Sequence, residues 1–293
     1  MPLGTPIPLD VAVQVVPAGL LEDKADLVRR FGGLDRLYGV TGAARIRNAH
    51  VVVVGIGGVG SWAVEALARS GIGRLTLIDL DHIAESNINR QIHALTGTLG
   101  QAKVEAMRDR IASINPDCKV LTLDDFVEPD NWLSLLEAAQ MAQGPVTALI
   151  DACDQVRAKV TMAAWARRHG SKNVNEGGTR FITVGAAGGK RMAHHVDIDD
   201  LALVTHDPLL AQLRQRLRKE HGVPREGKKI GVTCVFSHEG VAPPDASCAL
   251  DEGAGSDGSL NCHGYGSVVT VTATFGQCAA GWVLDEIARS TTL

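Results

Sequence analysis

Val51-Val52-Val53-Val54-Gly55-Ile56-Gly57-Gly58-Val59-Gly60 opens the stretch that decides the fold. The stretch runs on through Leu77-Ile78-Asp79-Leu80-Asp81 and Ser86-Asn87-Ile88-Asn89-Arg90-Gln91 to Lys103. Four β-branched residues in a row read as a short strand buried on both faces. Gly55, Gly57 and Gly60 follow with the spacing of a turn that lets the backbone approach a phosphate. There the free N–H groups and dipole of a helix N-terminus favour an anion. Asp79 ends a second apolar strand roughly 20 residues on, where a carboxylate accepts hydrogen bonds from ribose hydroxyls.

Such glycines also serve dinucleotides, so the two cations downstream carry the distinction. A diphosphate bridge has little charge, whereas a triphosphate carries about four negative charges near neutral pH and calls for cations and a metal. Arg90 and Lys103 therefore favour a nucleoside triphosphate.

Working outward, the apolar periodicity predicts a strand over His50–Val54, a helix over Gly58–Ser70 and a strand over Leu75–Asp79. A helix over Gly100–Ile114, a strand over Lys119–Leu123 and a helix over Asp130–Gln143 come next. A strand over Val146–Ile150 and a helix over Gln155–His169 complete four strand–helix alternations. This is the pattern of a Rossmann-like, doubly wound α/β fold with a mainly parallel sheet. Asp154 lies just past the fourth strand, at the carboxyl edge where ligands bind in such sheets. It is the first candidate for a magnesium ligand and Asp151 the second.

The flanks are less regular. Residues 1–24 read as a flexible tail, because Pro2, Pro6, Pro8 and Pro17 prevent a continuous helix; Val11–Val16 could pair as an edge strand. Leu27–Gly39 reads as a short helix broken by Gly32 and Gly33. Residues 25–293 are expected to form a single domain, with 178–293 as a less regular, substrate-side part of added strands and helices. Strands are expected over Phe181–Val184, His194–Ile198 and Ile230–Ser237, with a helix from Asp207-Pro208 to Glu220. Residues 240–264 read as a long mobile loop, and Ser267–Arg289 as a buried core helix in preference to a membrane span.

Composition bounds the partners. The net charge of −4 gives no global attraction to nucleic acid, so such a partner needs a local patch. Arg214, Arg216, Arg218, Lys219, Arg225, Lys228 and Lys229 form the one strongly basic segment. Six cysteines without a Cys-x-x-Cys pair imply reduced thiols, a cytoplasmic location and no structural zinc. No secretory signal is visible before Lys24.

The set Gly55–Gly60, Asp79-Leu80-Asp81, Asn87–Gln91, Lys103 and Asp151-Ala152-Cys153-Asp154 resembles the adenylating domain of ubiquitin-activating enzymes and their bacterial relatives. Arg30-Phe31-Gly32-Gly33, Arg36-Leu37-Tyr38-Gly39, Arg90–Leu95, Asp207-Pro208, Gly231–Ser237 and Val271–Gly276 narrow the resemblance to the tRNA threonylcarbamoyladenosine dehydratase branch. The resemblance implies a tRNA substrate whose threonyl carboxylate is adenylated by ATP and then attacked by the carbamoyl group of the same nucleoside, with release of AMP. It implies that Gly55, Gly57, Gly58 and Gly60 face the phosphates and that Asp79, with Asp81 beside it, holds the ribose. Asn87, Arg90 and Lys103 would bind the triphosphate, and Asp154 magnesium. Arg36 would reach into the site of a partner subunit, making a homodimer. Cys234 matches a position where a thiol could act, although the chemistry does not require one. The basic segment becomes the leading tRNA contact.

Two readings stand beside this one. An adenylating enzyme for a sulfur-carrier protein would normally show the absent Cys-x-x-Cys pairs. A nucleotide-binding partner of a cysteine desulfurase and its sulfur acceptor would not need the complete phosphate set. A hydride-transferring enzyme ranks below both, having no catalytic constellation. A monovalent cation is left open, since no spacing encodes one.

Overall fold

The computed structural model describes residues 25–170, 178–225, 227–244 and 265–290. The tail over 1–24, most of the loop over 240–264, Cys248 and Cys262 lie outside them. In chain order the elements are α1 (Leu27–Asn48), β1 (His50–Val54), α2 (Gly60–Arg69), β2 (Arg74–Ile78), α3 (Lys103–Ile114) and β3 (Lys119–Leu123). Then come α4 (Trp132–Gln143), β4 (Ala148–Asp151), α5 (Val156–His169), β5 (Arg180–Val184), β6 (Val196–Asp200), α6 (Pro208–Glu220), β7 (Thr233–Ser237) and α7 (Val269–Arg289).

The seven strands form one sheet in the order β3-β2-β1-β4-β5-β7-β6. Every neighbouring pair is parallel except β6 with β7. Because side chains alternate along a strand, the valines of β1 serve both faces. Val51 and Val53 enter the core formed with Ile46 of α1, Leu67 of α2, Met107 of α3 and Phe275 of α7. Val52 and Val54 enter the core formed with Trp132 of α4, Met162 of α5 and Leu213 of α6. Each such fully buried side chain contributes roughly 1.5–3 kcal/mol.

α7 is the buried helix expected from its composition, and it lies against α2. Gly276 makes that approach possible, since a Cβ there would collide with the Val59 carbonyl and with the Ala63 amide at 2.8 Å. Among the described residues no helix is long and apolar enough to cross a membrane.

Most elements shift by one to three residues at an end from the sequence reading, as with β6 at Val196–Asp200 in place of His194–Ile198 and α3 starting at Lys103 in place of Gly100. Two differences have a clear physical cause. α1 is not broken at Gly32 and Gly33 but continues to Asn48, kinking at Gly39, where φ is 73°. Interior glycines cost about 1 kcal/mol each, and burial of Phe31, Ala43 and Ile46 offsets this. β7 begins at Thr233 rather than Ile230, because the Ile230 and Gly231 amides donate to the Asp200 carboxylate at 2.8 and 2.7 Å instead of to a strand.

Asp207 caps α6 as its sequence suggests. One carboxylate oxygen accepts from the Leu210 amide at 2.9 Å, and Pro208 occupies the first helical position. The other oxygen accepts from Ala186 at 2.9 Å, which ties the start of α6 to the segment after β5.

Candidate active site

The carboxyl ends of β3, β2, β1, β4 and β5 line one cleft of about 620 Å³. The cleft is built strand by strand. After β1 the chain turns at Gly55, with φ at 84°, and the amide of Gly55 donates to the Ile78 carbonyl at 2.9 Å. Gly60, the first residue of α2, lies so close to Gly55 that a Cβ would overlap its carbonyl oxygen. Gly60 thus shapes the turn without lining the cleft, whereas Gly55, Gly57 and Gly58 do line it.

Asp79, 7% exposed, braces the turn from β2. Its carboxylate accepts from the Ile56 amide at 2.6 Å and from the Asp81 amide at 2.9 Å. Burial raises its pKa, and the nearby Lys103 ammonium opposes the rise. Each oxygen keeps a lone pair for a further donor. Lys103, at the first position of α3, is buried, and its ammonium reaches Asp81 at 2.6 Å. Asp81 is half-exposed, so the ammonium has one solvent-facing partner that an anion entering the cleft can replace.

Asn87 and Arg90 stand on the segment that crosses above the turn. The Asn87 side-chain Oδ1 accepts from the Ala84 amide at 3.1 Å, and the residue lines the cleft. Arg90 donates to the Ser86 carbonyl at 2.7 Å and to Asn89 Oδ1 at 2.9 Å, and its stem lies against Gly58. Partial burial lowers its pKa. The Trp62 indole donates to the Arg90 carbonyl at 2.9 Å and fixes the segment to α2.

The two aspartates after β4 have different fates. Asp154 lines the cleft half-buried, and its carboxylate has no hydrogen bond or ion pair among the described residues. Asp151, the second candidate for a metal, is consumed inside the protein. It pairs with Lys159 at 3.1 Å, both side chains being fully buried, and accepts from the Thr183 hydroxyl at 2.6 Å. Lys159 also donates to the Val184 carbonyl at 2.8 Å. Burial lowers the Lys159 pKa, but the Asp151 carboxylate more than offsets this and the ammonium ends above its usual value. The Cys153 thiol is pushed up by burial and by Asp151. Among the described residues no cluster of three or more His, Cys, Asp or Glu is placed to hold a metal.

Several residues gathered here had no place in the sequence reading. Asp125, Phe126 and Val127 extend the cleft beyond β3, Gly185–Gly188 extend it beyond β5, and Tyr265 covers the latter end. The rule that ligands sit at strand carboxyl ends would have found the first two groups. Nothing marks Lys159, which looks like any helix-surface lysine. His93 is buried under the turn beside the Ile56 backbone, and burial followed by the Lys103 charge holds it neutral, with a pKa of about 4.

Other expected residues stay apart. Arg36 is exposed on α1 and does not line the cleft. Cys234 is fully buried in β7, its thiol 3.6 Å from the Val232 carbonyl and pushed far up by burial, so it is not placed as a nucleophile. In the basic segment, Arg214 is spent on the Leu201 and Val204 carbonyls at 3.0 and 2.8 Å. Arg218, Lys219 and Arg225 border a separate open hollow, with Arg216 half-buried and Lys228 and Lys229 exposed. That hollow starts at Ala211, close to the cleft-lining Leu209, and the eleven helical rises from Pro208 to Lys219 put its far side about 16 Å along α6 from the cleft.

Residues 33–197 match the profile of the ThiF family. The chain is 44% identical over 264 residues to the tRNA threonylcarbamoyladenosine dehydratase of Escherichia coli, covering 88% of this chain and 93% of that protein. The crystal structure of the E. coli dehydratase TcdA in complex with AMP is similar to this one with a TM-score of 0.75 and 42% identity, covering 90% of this chain and 96% of that one. The complex of the same enzyme with ATP is similar with a TM-score of 0.74, 42% identity and the same coverage.

Proposed function

Because the chain belongs to the ThiF family, and within it to the tRNA threonylcarbamoyladenosine dehydratases, we propose that the strand-end cleft is where ATP activates a carboxylate of modified tRNA. The protein is an ATP-dependent enzyme acting on threonylcarbamoyladenosine in tRNA. The threonyl carboxylate attacks the α-phosphorus, diphosphate leaves, and an acyl adenylate forms. The carbamoyl group of the same nucleoside then attacks the acyl carbon, losing a proton as AMP departs. The net change is loss of one water from the nucleoside. A carboxylate oxygen is a poor leaving group and AMP a good one, and closure within one nucleoside is effectively unimolecular.

The observation that carries this reading is the meeting of free backbone amides, two cations and one unpartnered carboxylate in a single cleft. In our assignment the amides of Gly57 and Gly58 receive phosphates, Gly55, whose own amide is held by Ile78, turns the chain beneath them, and Asp79 receives the ribose. Asn87, Arg90 and Lys103 hold the charge that builds up as diphosphate leaves, with Lys103 released from Asp81. Asp154 suits magnesium, which is usually held by one or two carboxylates plus substrate phosphates. When bound, that ion would neutralise phosphate charge. ATP serves as a substrate. Neither a desulfurase nor a sulfur acceptor is needed for these steps.

We read residues 25–293 as one adenylating unit working as a homodimer in the cytoplasm. Supporting the pairing, α1 exposes Leu37 and Val40, each 72% accessible, beside Arg36. An apolar helix face next to a cation is what a second copy would cover if Arg36 completed its partner's site.

Incubating the protein with ATP, magnesium and tRNA bearing the open nucleoside, then weighing the nucleosides, tests the function. A product lighter by one water is expected; an unchanged mass would overturn the reading. For the RNA contact, Lys219, Arg225, Lys228 and Lys229 are the exposed candidates. Each one replaced by alanine should flatten the log–log salt dependence of tRNA binding by roughly 0.7–0.9. A slope unaltered in the fourfold variant would remove the patch from the interface. Arg214 is a poor probe, because losing it frees two carbonyls.

A further inference from the structure

The cleft is longer than its charged part. Neighbouring strands are about 4.8 Å apart, so five carboxyl ends in the order β3-β2-β1-β4-β5 span roughly 19 Å. The charged side chains placed above stand away from β5: Asp125 beyond β3, and Asp79, Asp81, Arg90, Lys103 and Asp154 around the ends of β2, β1 and β4. The β5 end is different in kind. Ala187, Gly188, Leu209, Val241 and Tyr265 line it, and none of them carries a charged side chain.

This neutral arm is braced from beneath. Asp207 holds the Ala186 amide, and Gly185 donates to the Val235 carbonyl at 2.9 Å. The Lys190 ammonium, in a side chain 1% exposed, donates to the carbonyls of Glu239 at 3.0 Å and His206 at 3.3 Å. Gly189 donates to Gly266 and accepts from Ala242, both at 2.8 Å, which anchors the strands of chain on either side of Tyr265. Within this fixed frame the consecutive amides of Ala187 and Gly188 donate to no described residue, yet both residues line the cleft. Two adjacent amides left free at a cleft wall are placed to donate to an acceptor on a bound ligand.

Resting on the function proposed above, we propose that this arm is the subsite for the acceptor nucleoside. The N6-carbamoylated purine, swung out of its RNA stack, lies against Tyr265, and its carbamoyl side takes hydrogen bonds from the Ala187 and Gly188 amides. Recognition of unstacked bases by an aromatic face and by hydrogen bonds to their edges is the general mode for single-stranded RNA. The reach agrees. From the purine N6 to the threonyl carboxylate carbon there are four bonds of about 1.3–1.5 Å, or roughly 5 Å extended. That is one strand spacing, so a base at β5 places its carboxylate at β4, next to Asp154 and the phosphates. Neutral walls suit the base, while the charged end takes the carboxylate.

The test measures binding of an anticodon stem-loop RNA carrying the threonylcarbamoyl group, and separately of ATP, to the wild type, Tyr265→Ala, Tyr265→Phe and Gly188→Val. Among the described residues a Cβ at Gly188 meets only Tyr265 Cβ at 3.6 Å, an ordinary contact, so valine narrows the arm without a clash at its Cβ, and a thermal melt checks that the variant folds. Tyr265→Ala should weaken RNA binding by ten- to a hundred-fold, with ATP affinity unchanged; Tyr265→Phe should restore it, and Gly188→Val should abolish it. RNA affinity unaltered in both Tyr265→Ala and Gly188→Val, or loss of ATP affinity in their place, would overturn the subsite. RNA binding with this pattern but no loss of water in the mass assay would sink the proposed reaction and leave the subsite standing.

Discussion

Replacing Asp154 by Asn is expected to cut formation of the cyclic nucleoside by about 10²–10³-fold while thermal stability stays at the wild-type value. The carboxylate makes no hydrogen bond or ion pair with the described residues, so the fold does not depend on its charge. Its neighbours in the cleft are the cations Arg90 and Lys103, and the amide isostere keeps the shape while removing the charge that suits a magnesium ion. Excess magnesium should recover only a small part of the activity. A variant within threefold of wild type would remove Asp154 from the machinery. The same variant tests the pairing of subunits. In a homodimer with Arg36 acting across the interface, Arg36→Ala and Asp154→Asn are each inactive. A mixed dimer, however, has one site with neither change. Random mixing then restores about a quarter of the wild-type rate. Mixtures no more active than either variant alone would place Arg36 outside the partner's site.

The second large effect concerns stability. Lys159→Met should destabilise the protein by about 3–5 kcal/mol, lowering the midpoint of thermal unfolding by on the order of 10 °C. The reason is the fate of Asp151, which would keep a negative charge with no accessible surface and no cation. Removing both members, as in Asp151→Leu with Lys159→Met, should recover part of the loss. The recovery stays partial because the Thr183 hydroxyl then loses its acceptor. Circular dichroism melts of these two variants and the wild type measure this, and equal melting of the double and single variants would contradict an uncompensated charge as the cause.

How far the sequence was legible follows from what each residue does. The strands β1 to β5 and the helices between them announce themselves through apolar period and through caps such as Asp207-Pro208, because local pattern and tertiary role agree. The phosphate turn was legible for the same reason: Gly55 and Gly60 are required by backbone geometry whatever is bound. Asp151 and Asp154 looked alike, since three residues separate them and both follow a strand. Only the burial of Lys159 tells them apart, and burial of a lysine leaves no trace in a helical pattern. The Gly32-Gly33 pair misled because flexibility in isolation was weighed against nothing, whereas the folded helix gains the packing of Phe31 and Ile46. The neutral arm was hidden because Gly185–Gly188 contribute backbone rather than side chains, and Tyr265 arrives from about 80 residues away.

The antiparallel strand β6 has a consequence for how copies of this protein meet. Among the described residues it is an outer strand of the sheet, and an outer edge is a template on which another chain could add a strand and start an aggregate. Of its five residues three are aspartates, Asp197, Asp199 and Asp200. Two such strands brought side by side would set carboxylates against carboxylates, and the repulsion opposes growth of a continuous sheet from molecule to molecule. Charge at this edge thus opposes self-association through the sheet, which agrees with assigning the proposed pairing of copies to the apolar face of α1.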